Sequence, residues 1–235
     1  WSTGAGYIQA TVAYAGGRIV AVNRQSQVLG LEPATGKVLW RHTLPSSMVA
    51  PIGVDSSRVL VTAHDSLYLV RVSDGAVTLR RKSPGTVTAD WLVQDHLLIG
   101  ATGDSLLVAV SPDSLRTVWT ARVDAPLLAS PTGVADTVFC VTQRGSLYRV
   151  EMSNGPPAVR RLRPEGWPAT GTPALFGSWL LVGGSDGQLR AITRDSGTLA
   201  WSTQLGRPFE AAPLVLAPDA FLALGGRGDF PRIRQ

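Results

Sequence analysis

An all-β fold, a β-propeller of four-stranded antiparallel blades, is predicted by three observations. The first is a repeat. Trp1, Trp40, Leu79, Trp119, Val159 and Trp201 stand 39, 39, 40, 40 and 42 residues apart. A period near 40 with strand-type content marks one four-stranded blade per repeat. The second is a pair of further columns in the same register. Gly30, Leu69, Ala109, Arg149 and Ala191 lie ten residues before the last five markers, and Gly36, Gly75, Leu115, Gly155 and Gly197 lie four before them. The third is that short apolar runs alternate with Gly- and Asp-bearing turns along the chain, while no stretch sustains a helical period. The prediction is a single domain over residues 1–235 with about five complete blades and parts of others, a fragment of a ring of about seven or eight. Its units fall at about 2–40, 41–79, 80–119, 120–159, 160–201 and an incomplete 202–235.

Each blade reads in the same order. A first strand bears proline, with Pro51, Pro131, Pro173 and Pro213 in matching places. Proline cannot donate to a ladder, so this strand belongs at a sheet edge, the edge facing the central channel. A hairpin follows: Ile19–Val22 with Val28–Leu31, Val59–Thr62 with Leu67–Val72, and Leu97–Ile99 with Leu106–Val110. The fourth and fifth copies are Val138–Val141 with Ser146–Val150 and Leu180–Val182 with Leu189–Ile192. Asp65-Ser66, Asp104-Ser105 and Asp186-Gly187 supply the turns, where Asp and Gly tolerate the required backbone angles. The fourth strand is predicted to end at the marker column, as in Lys37–Trp40 and Thr198–Trp201. Phe209–Leu216 and Phe221–Leu224 read as the first two strands of a sixth unit, with Gly225–Asp229 as their turn.

Composition narrows the function classes. Lys and Arg number 22 against 17 Asp and Glu, a net charge of +5. The densest basic runs, Arg80–Lys82 and Arg160–Arg163, fall on fourth strands. A nucleic-acid footprint needs basic residues on one face with interleaved aromatics, so no nucleic-acid partner is expected. No apolar run approaches the length of a membrane span, so no transmembrane segment is expected in this stretch. Cys140 sits in an apolar strand and reads as an inert core thiol. His42, His64 and His96 occupy different repeat positions and make no zinc spacing. Asp65, Asp104, Asp186 and Asp195 are explained by turn chemistry, and no metal or cofactor is expected. Gly183-Gly184 and Gly225-Gly226 read as turns rather than phosphate loops, and Arg227-Gly228-Asp229 as a chance tripeptide within one.

The columns Gly30…Gly36…Trp40, Ala109…Trp119 and Ala191…Gly197…Trp201 resemble the tryptophan-docking motif of the quinoprotein (PQQ-like) β-propellers. Leu31–Trp40 is similar to that family's run of a hydrophobic residue, an acid, Thr-Gly-Lys and Trp. The resemblance implies that Trp40, Trp119 and Trp201 are plates wedged between blades, with Gly36, Gly75, Gly155 and Gly197 at the turn before the last strand. Leu79, Val159, Leu115 and Arg149 depart from the pattern, so their blades should pack less regularly. Two groups share such repeats. Quinone-dependent dehydrogenases hold pyrroloquinoline quinone and calcium, and the alcohol-oxidising members carry adjacent cysteines. The other group is non-catalytic and BamB-like, with envelope propellers of outer-membrane assembly. One cysteine cannot supply the adjacent pair within this stretch. The repeat resembles both groups alike; the expectation adopted is a non-enzymatic scaffold for protein–protein interaction in the periplasm or cell envelope, with an outer-membrane assembly component as partner. The alternatives are a fragment of a quinone-dependent dehydrogenase, or the ligand-sensing propeller of a larger signalling protein.

Propellers bind partners through loops at one end of the disc. Two sets of loops should meet there, because the chain runs up and down in each blade. The blade-entry loops are Pro45–Met48, Pro84-Gly85, Ala125-Pro126, Gly166–Pro168 and Arg207–Glu210. The turns joining second and third strands are Asn23–Gln25, His64-Asp65, Gly103-Asp104, Gln143–Gly145 and Ser185–Gly187. The candidate binding residues are Arg24, Met48, His64, Asp65, Asp104, Arg144, Trp167, Asp186, Phe209 and Glu210. Met48, Trp167 and Phe209 are expected to be exposed apolar groups ringed by charge, a common form of interaction surface.

Overall fold

The computed structural model describes residues 1–8, 11–45, 48–63, 65–152, 156–163, 166–167, 169–209, 211–223 and 232–234. Five four-stranded antiparallel meanders follow one another. The first contains β1 (Ala13–Ala15), β2 (Arg18–Val22), β3 (Gln27–Leu31) and β4 (Val38–Thr43). The second contains β5 (Met48–Gly53), β6 (Arg58–Ala63), β7 (Ser66–Arg71) and β8 (Val77–Lys82). The third contains β9 (Leu92–Gln94), β10 (Leu97–Ala101), β11 (Leu106–Val110) and β12 (Thr117–Arg122). The fourth contains β13 (Thr132–Val134), β14 (Thr137–Val141), β15 (Leu147–Glu151) and β16 (Ala158–Arg163). The fifth contains β17 (Ala174–Phe176), β18 (Trp179–Gly183), β19 (Gln188–Thr193) and β20 (Leu199–Gln204). A three-stranded sheet follows: β21 (Leu214–Ala217), β22 (Ala220–Leu222) and β23 (Arg232–Arg234). The architecture is a β-propeller.

The middle strands of each sheet are buried on both faces, which is why Val59–Val61 and Leu107–Val110 read as continuous apolar runs. The first strands lie side by side along the axis, β1 against β5, β9 against β13, β13 against β17 and β17 against β21. Pro131, Pro173 and Pro213 immediately precede three of these strands, and Pro51 lies within β5. The core is a stack of layers between adjacent sheets rather than one central cluster. Val20, Val22, Val59, Val61 and Tyr68 form the first layer, and Ile99, Leu107, Trp119, Val138 and Cys140 form the third.

The glycine column has two physical causes. Gly36, Gly75 and Gly197 close i→i−4 turns before the fourth strand with φ of 71°, 76° and 74°, a region L side chains avoid. Gly36 and Gly75 also lie against the indoles of Trp1 and Trp40, where a Cβ would collide with the ring. Leu115 takes the same turn at φ 51° and carries the strain of a branched side chain there. The residue at the first column lies under its own marker: Gly30 pairs with Trp40, Ala109 with Trp119 and Ala191 with Trp201.

Trp119 is 5% exposed between the third and fourth sheets. Trp40 and Trp201 are half-buried. Trp40 donates Nε1–H to the Val72 carbonyl at 2.9 Å. Trp201 stacks on Phe221 of the next sheet at 6.2 Å between centroids and meets Trp179 edge-on at 6.1 Å. Gly155 lies outside the described residues.

The structure differs from the sequence reading in three places. The fourth strands do not end at the marker. β4 and β20 continue three residues past Trp40 and Trp201, because the polar tails of these outer strands still pair with the third strand. In the fourth sheet the register slip falls between Leu147 and Tyr148, not beside the first-column residue, so Arg149 pairs with Arg160 and Val159 with Val150. Val159 is therefore not the structural counterpart of the tryptophans. In the last sheet the first strand starts at Leu214, and Phe209 precedes it; residues 225–229 lie outside the described residues.

Candidate functional site

Hydrogen bonds tie the two loop sets together at one end of the disc. Leu44 N–H donates to Ser26 at 2.9 Å, Ser83 to Asp65 at 2.8 Å, Val123 to Ser105 at 3.0 Å and Leu205 to Gly187 at 2.9 Å. From the other side, Gly103 N–H donates to Thr86 at 3.0 Å and Gln143 N–H to Pro126 at 2.8 Å. The Asp104 carboxylate accepts from Thr86 N–H at 2.7 Å. Each bond fixes a loop between consecutive sheets to a hairpin turn beside it, and through these loops the turns of the second, third and fourth sheets are joined, which gives this end a pre-formed surface.

Arg24, Asp65, Asp104, Arg144 and Asp186 lie exposed on that surface. Arg24 sits over the ring of Tyr7 at 4.5 Å, and its N–H donates to the Tyr7 carbonyl at 3.1 Å. Asp186 forms a two-point ion pair with Arg190, whose side chain is 7% exposed. The hydrogen bond from Arg190 holds the Asp186 carboxyl below its ordinary range, against the opposing effect of burial. Trp167 is half-buried between two guanidinium groups, Arg163 at 3.7 Å and Arg190 at 4.9 Å from its ring centre. Its backbone crosses Gly145 so closely that a Cβ there would overlap the Trp167 carbonyl, and Gly145 has φ 80°. Burial works against ionisation of Asp124, but hydrogen bonds from Ser146 and Thr142 and the charge of Arg161 outweigh it and hold this carboxyl low.

One candidate is not the exposed apolar group the sequence suggested, and a second does not lie in a loop. Phe209 is 2% exposed, its ring flat against Gly183 and packed with Phe176, Leu181 and Leu189, because the entry segment turns inward to cap the fifth layer. Met48 opens strand β5 rather than a loop, since pairing with Ala63 extends this inner strand to six residues. His64 and Glu210 lie outside the described residues. The apolar groups that do reach this end are Tyr7, 63% exposed, and Leu128, 55% exposed. Tyr7 lies in a segment before the first strand, outside the repeat, so no column marked it. Leu128 follows a buried Leu127 in an entry loop and had no counterpart in the neighbouring repeats. The Asp186–Arg190 pair had a readable signal, an acid and a base four residues apart across a two-strand turn.

Inside the entry loops lies a shallow axial recess of about 270 Å³, lined by Thr88, Asp90, Leu128, Ser130, Thr170 and Thr172 among others. Asp90 accepts from Thr11 Oγ1 at 3.1 Å. A calcium–quinone centre needs six to eight oxygen ligands rich in carboxylate. Hydroxyls and one carboxylate already engaged by Thr11 do not fit that group, and among the described residues no three His, Cys, Asp or Glu side chains converge. Cys140 is fully buried, and burial pushes its thiol up to about 12, with the charge of Asp124 adding to the rise. Among the described residues no helix is long and apolar enough to cross a membrane.

Fold and repeat together define a PQQ-like-repeat β-propeller with a hydrogen-bonded loop end. The family described as outer membrane protein assembly factor BamB matches residues 1–83, 77–158 and 160–226, and the chain belongs to it. The assembly factor BamB of Burkholderia pseudomallei is 25% identical over 228 residues, covering 90% of this chain and 58% of that protein. The Yersinia pestis factor is 22% identical over 225 residues, covering 88% and 48%. The chain thus spans about half the length of the curated relatives it matches. The crystal structure of BamB from Moraxella catarrhalis superposes with a TM-score of 0.72 at 16% identity, over 91% of this chain and 68% of that one. A computationally designed protein, Ika8, superposes at 0.80 with 13% identity, over 97% and 71%. Both likenesses show the fold.

Proposed function

We propose that this chain is a non-catalytic interaction scaffold of the bacterial cell envelope, which presents its loop-bearing end to a protein component of outer-membrane assembly. The observation that supports this most is the cross-linked loop set, with Arg24, Asp65, Asp104, Arg144 and Asp186 exposed around Tyr7, Leu128 and the half-buried Trp167. Loops already bonded to one another lose little conformational entropy on docking. A rim of mixed charge gives orientation and on-rate, and the apolar groups give contact area. The family's name for its members is consistent with this role. The combined variant Arg24→Glu, Asp65→Lys, Arg144→Glu tests it in capture of detergent-solubilised outer-membrane assembly components. Capture is expected to be lost there and kept when Arg80 and Arg160 on the outer edge are reversed instead. The opposite pattern moves the working surface to the edge and defeats the proposal.

A further inference from the structure

We infer that the outer rim between the second and third sheets carries a slot for a tryptophan side chain of a partner protein. Internal repetition carries the argument. Between the first and second sheets, the Trp40 indole covers Gly30, abuts Gly75 and donates to the Val72 carbonyl at 2.9 Å. Trp1 makes the same contacts one repeat earlier, with Gly36 and the Pro33 carbonyl at 2.8 Å. His42, two residues beyond Trp40, reaches the Asp74 carbonyl at 3.0 Å.

One repeat later these surroundings recur without the ring. Leu79 pairs with Leu69 as Trp40 pairs with Gly30. Arg81 Nε donates to the Ser114 carbonyl at 2.6 Å, as His42 meets Asp74. The Pro112 carbonyl, equivalent to those of Pro33 and Val72, is met by Arg58 Nη1 at a long 3.4 Å. Leu115, standing in the glycine column, fills the inner part of the volume. Outside it a cavity of about 440 Å³ remains, lined chiefly by Arg58, Leu69, Arg71, Thr78, Leu79 and Asp113. That volume lies in the range of sites that accept a ligand group.

The lining selects the occupant. Leu69 and Leu79 make an apolar floor. Arg58 is held by Asp55 at 2.6 Å and Asp113 at 2.8 Å, and Arg71 by Asp74 at 2.8 Å. These carboxylates already balance both cations, which disfavours a simple anion. The guanidinium walls complement the negative face of an aromatic ring. The exposed Asp113 carboxylate at the lip offers an acceptor for one N–H. An indole meets all three demands, and it is the ring this fold docks at equivalent junctions. At the fourth junction the chain closes the corresponding place itself, with Arg149 reaching Asp195 at 3.2 Å.

The probe is N-acetyl-L-tryptophanamide, titrated into the full chain while the leucine methyl groups are followed by carbon-13 NMR. Saturable shifts are expected at Leu69 and Leu79, with N-acetyl-L-leucinamide clearly weaker. Leu79→Trp, which fills the slot from inside, should abolish the shifts. Arg71→Gln, a surface change that leaves the floor intact, should weaken binding about two- to five-fold, the range of an exposed cation–π contact. Absence of saturation, equal binding of the leucine amide, or unchanged affinity in Arg71→Gln would overturn the inference. Tighter binding of free indole than of the capped residue would assign the slot to a small molecule and overturn it too. The loop-end charge variants should bind the probe normally, so the outcome is independent of the proposed scaffold role.

Discussion

Removing the Trp119 side chain should be among the most damaging single truncations available in this protein. The ring is 5% exposed and packs on Ile99, Ala109 and Ala121 of its own sheet and on Val138, Cys140 and Val150 of the next. A buried tryptophan removes about 200 Å² from water, which at about 25 cal/mol per Å² is about 5 kcal/mol. Its Nε1–H finds no acceptor among the described residues, so truncation loses no hydrogen bond and relieves one unsatisfied donor, worth about 1 kcal/mol or more. Trp119→Ala should therefore cost about 4 kcal/mol, within the range for large-to-small core changes. Trp40→Ala should cost less, about 2–3 kcal/mol, because that ring is half-exposed and its bond to Val72 is a net term of about 1 kcal/mol. Trp119→Phe keeps most of the plate and discards the orphan donor, so it should cost about 1 kcal/mol. Urea denaturation followed by circular dichroism, with unchanged slope as the criterion for comparing midpoints, measures all three. A cost below about 1 kcal/mol for Trp119→Ala, or a larger loss at Trp40, would refute the view that layers between sheets dominate stability.

Gly145→Ala should destabilise by about 2 kcal/mol or more, because it adds left-handed strain and drives a Cβ into the Trp167 carbonyl, whereas Gly4→Ala, with open space around it, should be silent in the same melts. Asp186→Asn tests the Arg190 pair through pH. The native carboxyl is held below its unfolded value of about 3.9, so its contribution is present above that value and is lost as pH falls through the depressed one. Stability of the Asn variant should be lower at neutral pH and should fall less steeply in acid; parallel curves would show that the pair contributes nothing. Cys140, with its thiol raised to about 12 and no exposure, should resist Ellman's reagent at pH 8 in the native protein and react fully in denaturant. Rapid native labelling would contradict its burial.

Much of the fold was legible because the repeat makes the same physical demand at each copy. A left-handed turn with a neighbouring sheet pressed against it, the indoles of Trp1 and Trp40 at Gly36 and Gly75 and Leu162 at Gly197, requires glycine, and that demand left the three in one column. The exceptions were legible as departures but not in their consequences. In the Arg149 sheet the bulge falls two residues earlier than in the others, and spacing alone cannot show where a ladder slips. The loop end was legible as geometry, since an up-and-down chain must bring entry loops and alternate turns together. Its side chains were not. A phenylalanine between a proline and a glutamate reads as a loop residue, yet Phe209 packs on Gly183, a contact between positions 26 residues apart. Tyr7 lies where no repeat aligns it, and the approach of two guanidinium groups to the Trp167 ring depends on the third dimension.

The most direct test of the scaffold account is site-specific photo-cross-linking in the bacterial envelope. A photoreactive phenylalanine analogue is placed in turn at Asp104 and Arg144 on the loop end, and at Ala34 and Ser178, which are exposed in turns at the other end of the strands. The account predicts a discrete adduct with an outer-membrane assembly component from Asp104 and Arg144, and none from Ala34 and Ser178. Adducts from Ala34 or Ser178 alone, or equally from all four positions, would contradict it.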